Sequence, residues 1–131
     1  MQELGVNFSN TDWEESTAQV LANEGKLNRT KAAFSYSAGM IGTSQVEYLL
    51  RYRADGTGDF TGWEEFTGTF AGKSGSILFR HEGLFFAHSV ETDIISVPGS
   101  GTGDLANLEA KAHVSMSGTS GYTMTMQYTG L

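Results

Sequence analysis

Apolar and polar residues alternate along most of the chain. This is the two-residue period of strands whose faces meet different surroundings. Leu4, Val6 and Phe8 alternate with Gly5, Asn7 and Ser9 and predict a first strand. The segment TDWEES has the spacing of a helix start, with Thr11 as N-cap and Glu14 three residues later. The run is short, however, and is read as a turn or loop. LNRTKAAFSYSAG carries Phe34 and Tyr36 in alternation and ends at Gly39. VEYLLRYR sets Val46, Tyr48, Leu50 and Tyr52 on one face, and ADGTG after it is a hairpin turn, since Asp-Gly suits positive backbone angles. Over residues 57–71 one face holds Phe60, Gly62, Glu64, Phe66, Gly68 and Phe70. AGKSG is a second turn, and Ile77, Phe79 and His81 share a face beyond it. Residues 84–97 predict a further strand with Val90, Thr92 and Ile94 on one face. PGSGTGDLANL is a long glycine-rich connection, and EAKAHVSMSG and YTMTMQYTG are the last two strands.

Helical patterns of useful length are missing, so parallel βαβ units are not expected. A meander of about eight antiparallel strands closes into a barrel or splits into a sandwich. The expected fold is all-β: one domain over residues 1–131, a closed antiparallel up-and-down barrel. A two-layer β-sandwich is the alternative, because Leu49, Trp63, Leu78, Ile95 and Val97 fall on the face opposite the expected core. In a barrel those same residues would form a dimer patch, and a homodimer is expected.

Composition narrows the function classes. The chain has 15 acidic and 8 basic residues, a formal net charge of −7. That argues against nucleic acid, which is bound chiefly by Lys and Arg. There is no cysteine, so disulfides and thiolate metal sites are excluded. MQELGVNFSN lacks the basic and apolar regions of a signal peptide, and no apolar run approaches the roughly 18 residues of a membrane helix. No membrane association is expected, and a cytoplasmic location is.

The 17 glycines invite a phosphate-binding reading. GSGTG at 99–103 lacks the third glycine of a dinucleotide fingerprint, since Asp104 stands there and no long helix follows. GTFAGKS at 68–74 is one residue short of P-loop spacing and lies in a hairpin rather than at a helix N-terminus. GKSG at 72–75 only approximates a hydrolase nucleophile elbow. These glycines are read as turns and strand bends.

Glu64 stands on an apolar face with Phe60, Phe66 and Phe70, and a carboxylate there is costly unless paired or protonated. His81 shares its face with Ile77 and Phe79 on the next strand. A hairpin centred near Lys73 places Glu64 roughly opposite Glu82, with His81 about one position away. Both side chains should then point inward, diagonal or adjacent. Such a pair can serve as general acid and base, or be a buried network that fixes register. Tyr48, Tyr52 and Tyr128 are expected inside as hydrogen-bonding groups. Phe60, Phe66, Phe79, Ile94 and Met124 are expected as the apolar walls of a binding site. His88 and His113 have no metal-ligand spacing, so no metal or cofactor is expected. Arg51 and Arg53 face away from the tyrosines.

Several linked motifs carry a resemblance. They are Tyr48-Leu49 with Tyr52 and Asp55-Gly56, then Glu64, Phe66, Gly68 and Gly72 with Ser74-Gly75. His81 and Gly83 follow, and then the run from Pro98 to Gly103 with Leu105. Over roughly residues 40–110 the chain resembles the bacterial domain-of-unknown-function family 3224. The resemblance implies a small antiparallel barrel similar to allene oxide cyclase, some relatives of which fold polyunsaturated or polyketide substrates in an apolar lumen. The chain departs from the family pattern at Ile94, where a tryptophan is usual, and in ANLEAKAHV after Leu105. Three functions follow as expectations. One is a barrel that binds a small apolar or aromatic molecule. The second is a cofactor-independent isomerase or cyclase using Glu64 and His81. The third is a structural or interaction module with a filled core.

Overall fold

The computed structural model describes residues 1–117 and 121–131. Eight strands follow in chain order: β1 (Gln2–Val20), β2 (Lys26–Ala38), β3 (Met40–Tyr52), β4 (Gly58–Phe70), β5 (Lys73–Phe85), β6 (Ser89–Ser96), β7 (Glu109–Ser117) and β8 (Gly121–Thr129). A 3₁₀ turn, Gly103–Leu105, lies between β6 and β7. Each strand pairs antiparallel with the next, and β8 returns to β1 to close the barrel. Closure leaves no room for the sandwich. Leu49, Trp63 and Ile95 are accordingly exposed on the outer wall. The Arg80 guanidinium stands 5.4 Å from the Trp63 ring.

The alternation in β2 to β8 is realised as read: Val46, Leu50, Glu64, Phe66, Phe70, Ile77, Phe79, His81, Thr92, Ile94, Met124 and Met126 are buried. Three particulars differ. TDWEES is not a loop; it lies within β1, which runs for 19 residues. Bulges at Asn7/Phe8 and Asn10/Asp12 shift its pairing with β2, so Asn10 opposes Phe34 while Trp13 opposes Ala32. The inward face therefore passes from even to odd residue numbers, which hides the strand from a search for strict alternation. Residues 84–97 are not one strand: β5 runs on to Phe85 and β6 starts at Ser89. The β4–β5 hairpin turns on Ala71 and Gly72, with φ of 50° and 82°. This two-residue turn pairs Phe70 with Lys73 and places Glu64 opposite Phe79, not Glu82. The expected end of the seventh strand, Gly118, lies outside the described residues.

The two ends of the barrel differ. At one, Met40, Phe66, Phe70, Ile77, Leu105 and Met126 are fully buried and the interior is solid. The glycine-rich connection seals this end by laying Leu105 and Leu108 onto the core. Thr102 N–H donates to the Ser76 carbonyl at 2.8 Å, and Ser76 N–H donates to Thr102 Oγ1 at 3.0 Å. A Cβ on Gly75 would lie 2.1 Å from the Thr102 carbonyl oxygen, so a side chain there would push the seal off. The GSGTG segment thus packs against the start of the strand that follows GTFAGKS. The other end is hollow.

Candidate functional site

The hollow end holds a cavity of about 410 Å³ bordered by Glu64 and His81. Eight-stranded barrels are just wide enough to be filled by side chains or to hold one small ligand, and this one does each at a different level. The cavity wall includes Phe8, Phe34, Tyr36, Tyr48, Phe60 and Ile94, and its mouth is ringed by Trp13, Tyr52, Phe85, Val90, Met116 and Tyr122.

Glu64 is the polar centre. Its partner on β5 is Phe79, so His81, two residues further on, lies diagonal to it on the same inward face. His81 Nε2 is 2.7 Å from Glu64 Oε1. Tyr36 from β2 and Ser44 from β3 each donate a hydroxyl hydrogen bond to Oε2 at 2.5 Å. Burial alone would raise the Glu64 pKa. The hydrogen bond and charge of His81, with the Ser44 and Tyr36 hydroxyls, outweigh it and hold the carboxyl below its ordinary value. The carboxylate therefore accepts a hydrogen bond from His81 Nε2–H, and Nδ1 is the ring nitrogen that faces Tyr48. Tyr48 Oη lies 3.5 Å from Nδ1. Burial, and then the Glu64 charge, push the phenols of Tyr36 and Tyr48 well above their ordinary value, so both stay protonated donors.

Tyr48 is placed by an absence. Gly62 pairs with both Tyr48 and His81 across the ladders. A Cβ on Gly62 would lie 2.4 Å from Tyr48 Cδ1. Without it the ring lies against β4, in edge contact with His81 at 5.6 Å between centroids.

A second carboxylate organises the mouth. Glu15 accepts hydrogen bonds from Tyr52 Oη at 2.6 Å, Asn28 Nδ2 at 2.5 Å and Trp13 Nε1 at 3.1 Å. Trp13 packs against Tyr48 at 5.9 Å and Tyr52 against Phe85 at 4.8 Å. Lys26 Nζ stands 4.8 Å from the Tyr52 ring. Beside this network, Asn28 Oδ1 and Thr30 Oγ1 are buried with no hydrogen-bond partner among the described residues.

Of the residues expected at the site, Glu64, His81, Tyr48, Tyr52, Phe60 and Ile94 border the cavity. Phe66, Phe79, Met124 and Tyr128 do not; they are buried in the core cluster, with Tyr128 against Phe70 at 5.1 Å. Sequence reasoning divided barrel faces but not barrel levels, so it could not tell packed wall from hollow wall. It missed Trp13 and Glu15 because of the bulges, and Tyr36 and Ser44 because their role appears only once Glu64 is placed. His88 lies in the exposed turn between β5 and β6, and His113 contacts Asp93 on the outer wall at 2.7 Å. Among the described residues no cluster of His, Cys, Asp or Glu could hold a metal ion, and no helix is long and apolar enough to cross a membrane.

The comparisons with known proteins agree with this architecture. A solved structure of a DUF3224-family protein of unknown function from Shewanella oneidensis MR-1 superposes with a TM-score of 0.83 and 19% sequence identity. The match covers 100% of this chain and 98% of that one, and it shows the shared fold. No curated protein matches the chain. Residues 5–128 match the family described as protein of unknown function, DUF3224. The chain belongs to the DUF3224 family.

Proposed function

We propose that the barrel binds one small, largely apolar or aromatic molecule in its hollow end. The observation that carries this reading is the cavity itself: it adjoins the hydrogen-bonded Glu64–His81 pair instead of being filled by side chains. Its volume lies within the roughly 300–1,000 Å³ of ligand pockets, and a few fixed polar groups amid aromatic walls are the usual make-up of such sites. Native mass spectrometry of the purified protein tests it. The expected result is an additional non-covalent mass that leaves on denaturation, or uptake of small aromatics that shifts the methyl resonances of Ile94 and Met116. Methyl resonances unmoved by any small apolar probe would sink the reading.

A second reading is supported by the His81 geometry. With Nε2–H turned to Glu64, Nδ1 can take a proton from a bound molecule, Glu64 then balances the imidazolium, and Tyr48 O–H can donate to an oxygen that gains charge. Returning that proton to another atom of the same molecule is an isomerisation. In this reading His81 is the catalytic residue and Glu64 its positioning residue. Glu64→Gln should lower turnover far more than affinity on any substrate found; equal losses in both would leave binding alone.

A further inference from the structure

The site's charges say more about the ligand, on the reading that the hollow end is a binding lumen. Among the described residues lining the cavity there is no Lys or Arg. The fixed charge at its floor is the Glu64 carboxylate, and at its mouth Glu15 holds Tyr52 and Trp13 in place. His81 Nε2 is paired with Glu64 at 2.7 Å, so His81 supplies no surplus cation. Among the described residues, Lys26 is the one cation by the mouth whose position is fixed against a lining residue; it stands over the Tyr52 ring and its charge acts on Glu15.

An anionic ligand would have to leave water and enter beside one carboxylate to reach another, with no Lys or Arg among the described lining residues to meet it. The site's hydrogen-bonding capacity points the same way. Asn10 donates from Nδ2 to the Asp12 and Ala33 carbonyls. The Tyr36 hydroxyl is committed to Glu64. Deep in the lumen what remains is His81 Nδ1, an acceptor in the neutral ring, with the Tyr48 hydroxyl 3.5 Å from it; the Tyr122 hydroxyl also borders the cavity.

We propose that the lumen selects uncharged aromatic molecules carrying an O–H or N–H donor and rejects their carboxylated or sulfonated counterparts. The donor would bond to His81 Nδ1, and the rings would lie among Tyr48, Phe60, Phe34 and Trp13. This selectivity sets the protein apart from a binder of fatty-acid anions, which needs a cation where this barrel has Glu15.

The test uses N-phenyl-1-naphthylamine, which is uncharged and has one N–H. It is compared with the same skeleton carrying a sulfonate, 8-anilinonaphthalene-1-sulfonate, and with the N-methylated neutral amine. Fluorescence titration gives the affinities, and the methyl resonances of Ile94 and Met116 report whether each probe is in the lumen. The uncharged amine should bind in the lumen at least about tenfold more tightly than the sulfonate, and N-methylation should weaken it several-fold. If the sulfonate shifts the lumen methyls with equal or higher affinity, the selection against anions is overturned while lumen binding stands. If the N-methyl compound binds as well as its parent, the donor contact is overturned. If no probe moves those methyls, the binding lumen falls, and this proposal with it.

Discussion

Gly62 lies against the ring of Tyr48, with room for a hydrogen and not for a methyl group. The contact sets where the Tyr48 hydroxyl meets His81. Gly62→Ala should cost about 1–3 kcal/mol in urea unfolding through overpacking. It should also change the nitrogen chemical shifts of His81, because the ring of Tyr48 must swing away. Unchanged His81 shifts in a folded variant would mean that Gly62 does not position the pair.

Glu64 has three partners and almost no exposure to water. Glu64→Ala leaves His81, Tyr36 and Ser44 facing a void and should cost about 3–5 kcal/mol, the range for breaking a buried pair by removing one member. A double-mutant cycle with His81→Phe should show coupling above about 1 kcal/mol. Additive losses would mean that the two groups are neighbours without being partners.

The pKa shifts predict loss of stability at both ends of the pH scale. The folded state holds Glu64 below its ordinary value of 4.5. Its contribution is therefore complete above that value and is lost as pH falls through the lower folded one. Tyr36 is displaced upward from 10.0, so its contribution is complete below 10.0 and is lost as pH rises toward the folded value. Chemical denaturation between pH 3 and 11, with Tyr36→Phe alongside, checks the alkaline limb: the variant should fall less steeply than the wild type.

At the sealed end, Gly75→Ala forces Thr102 away from Ser76. The melting temperature should fall by about 4 °C or more. Millimolar inorganic phosphate or ATP should leave the wild-type melting temperature unchanged, since these glycines hold backbone to backbone. Stabilisation by either anion would reopen the phosphate-binding reading.

Glu15→Gln probes the mouth. Glu15 is exposed and a glutamine keeps an acceptor oxygen for its partners, so stability should change by less than about 1 kcal/mol. Trp13, no longer tied by the charge, should become more accessible to acrylamide quenching; Trp63, on the outer wall, supplies the constant background in the same spectrum.

The faces of the strands could be read from the chain because inward residues repeat every second position in β2 to β8, and Glu64 and His81 stood out against aromatic neighbours. Their exact pairing could not, because it depends on whether the turn has two residues or more. Ala71, in the left-handed region without being glycine, gives no local signal of a two-residue turn. Nor does any local pattern mark the bulge after Asn10, which brings Trp13 and Glu15 to the mouth. The division of the interior into packed and hollow halves is a property of side-chain volumes summed across eight strands, beyond the reach of any single one.

The hairpin tips at 21–25, 53–57 and 86–88 all emerge around the hollow end, while the glycine-rich seal closes the opposite one. The cavity and the seal that closes the fold thereby lie at opposite poles of the molecule. A protein engineer could randomise the three tips to reshape what reaches the lumen, and the seal that holds the barrel shut would not be touched.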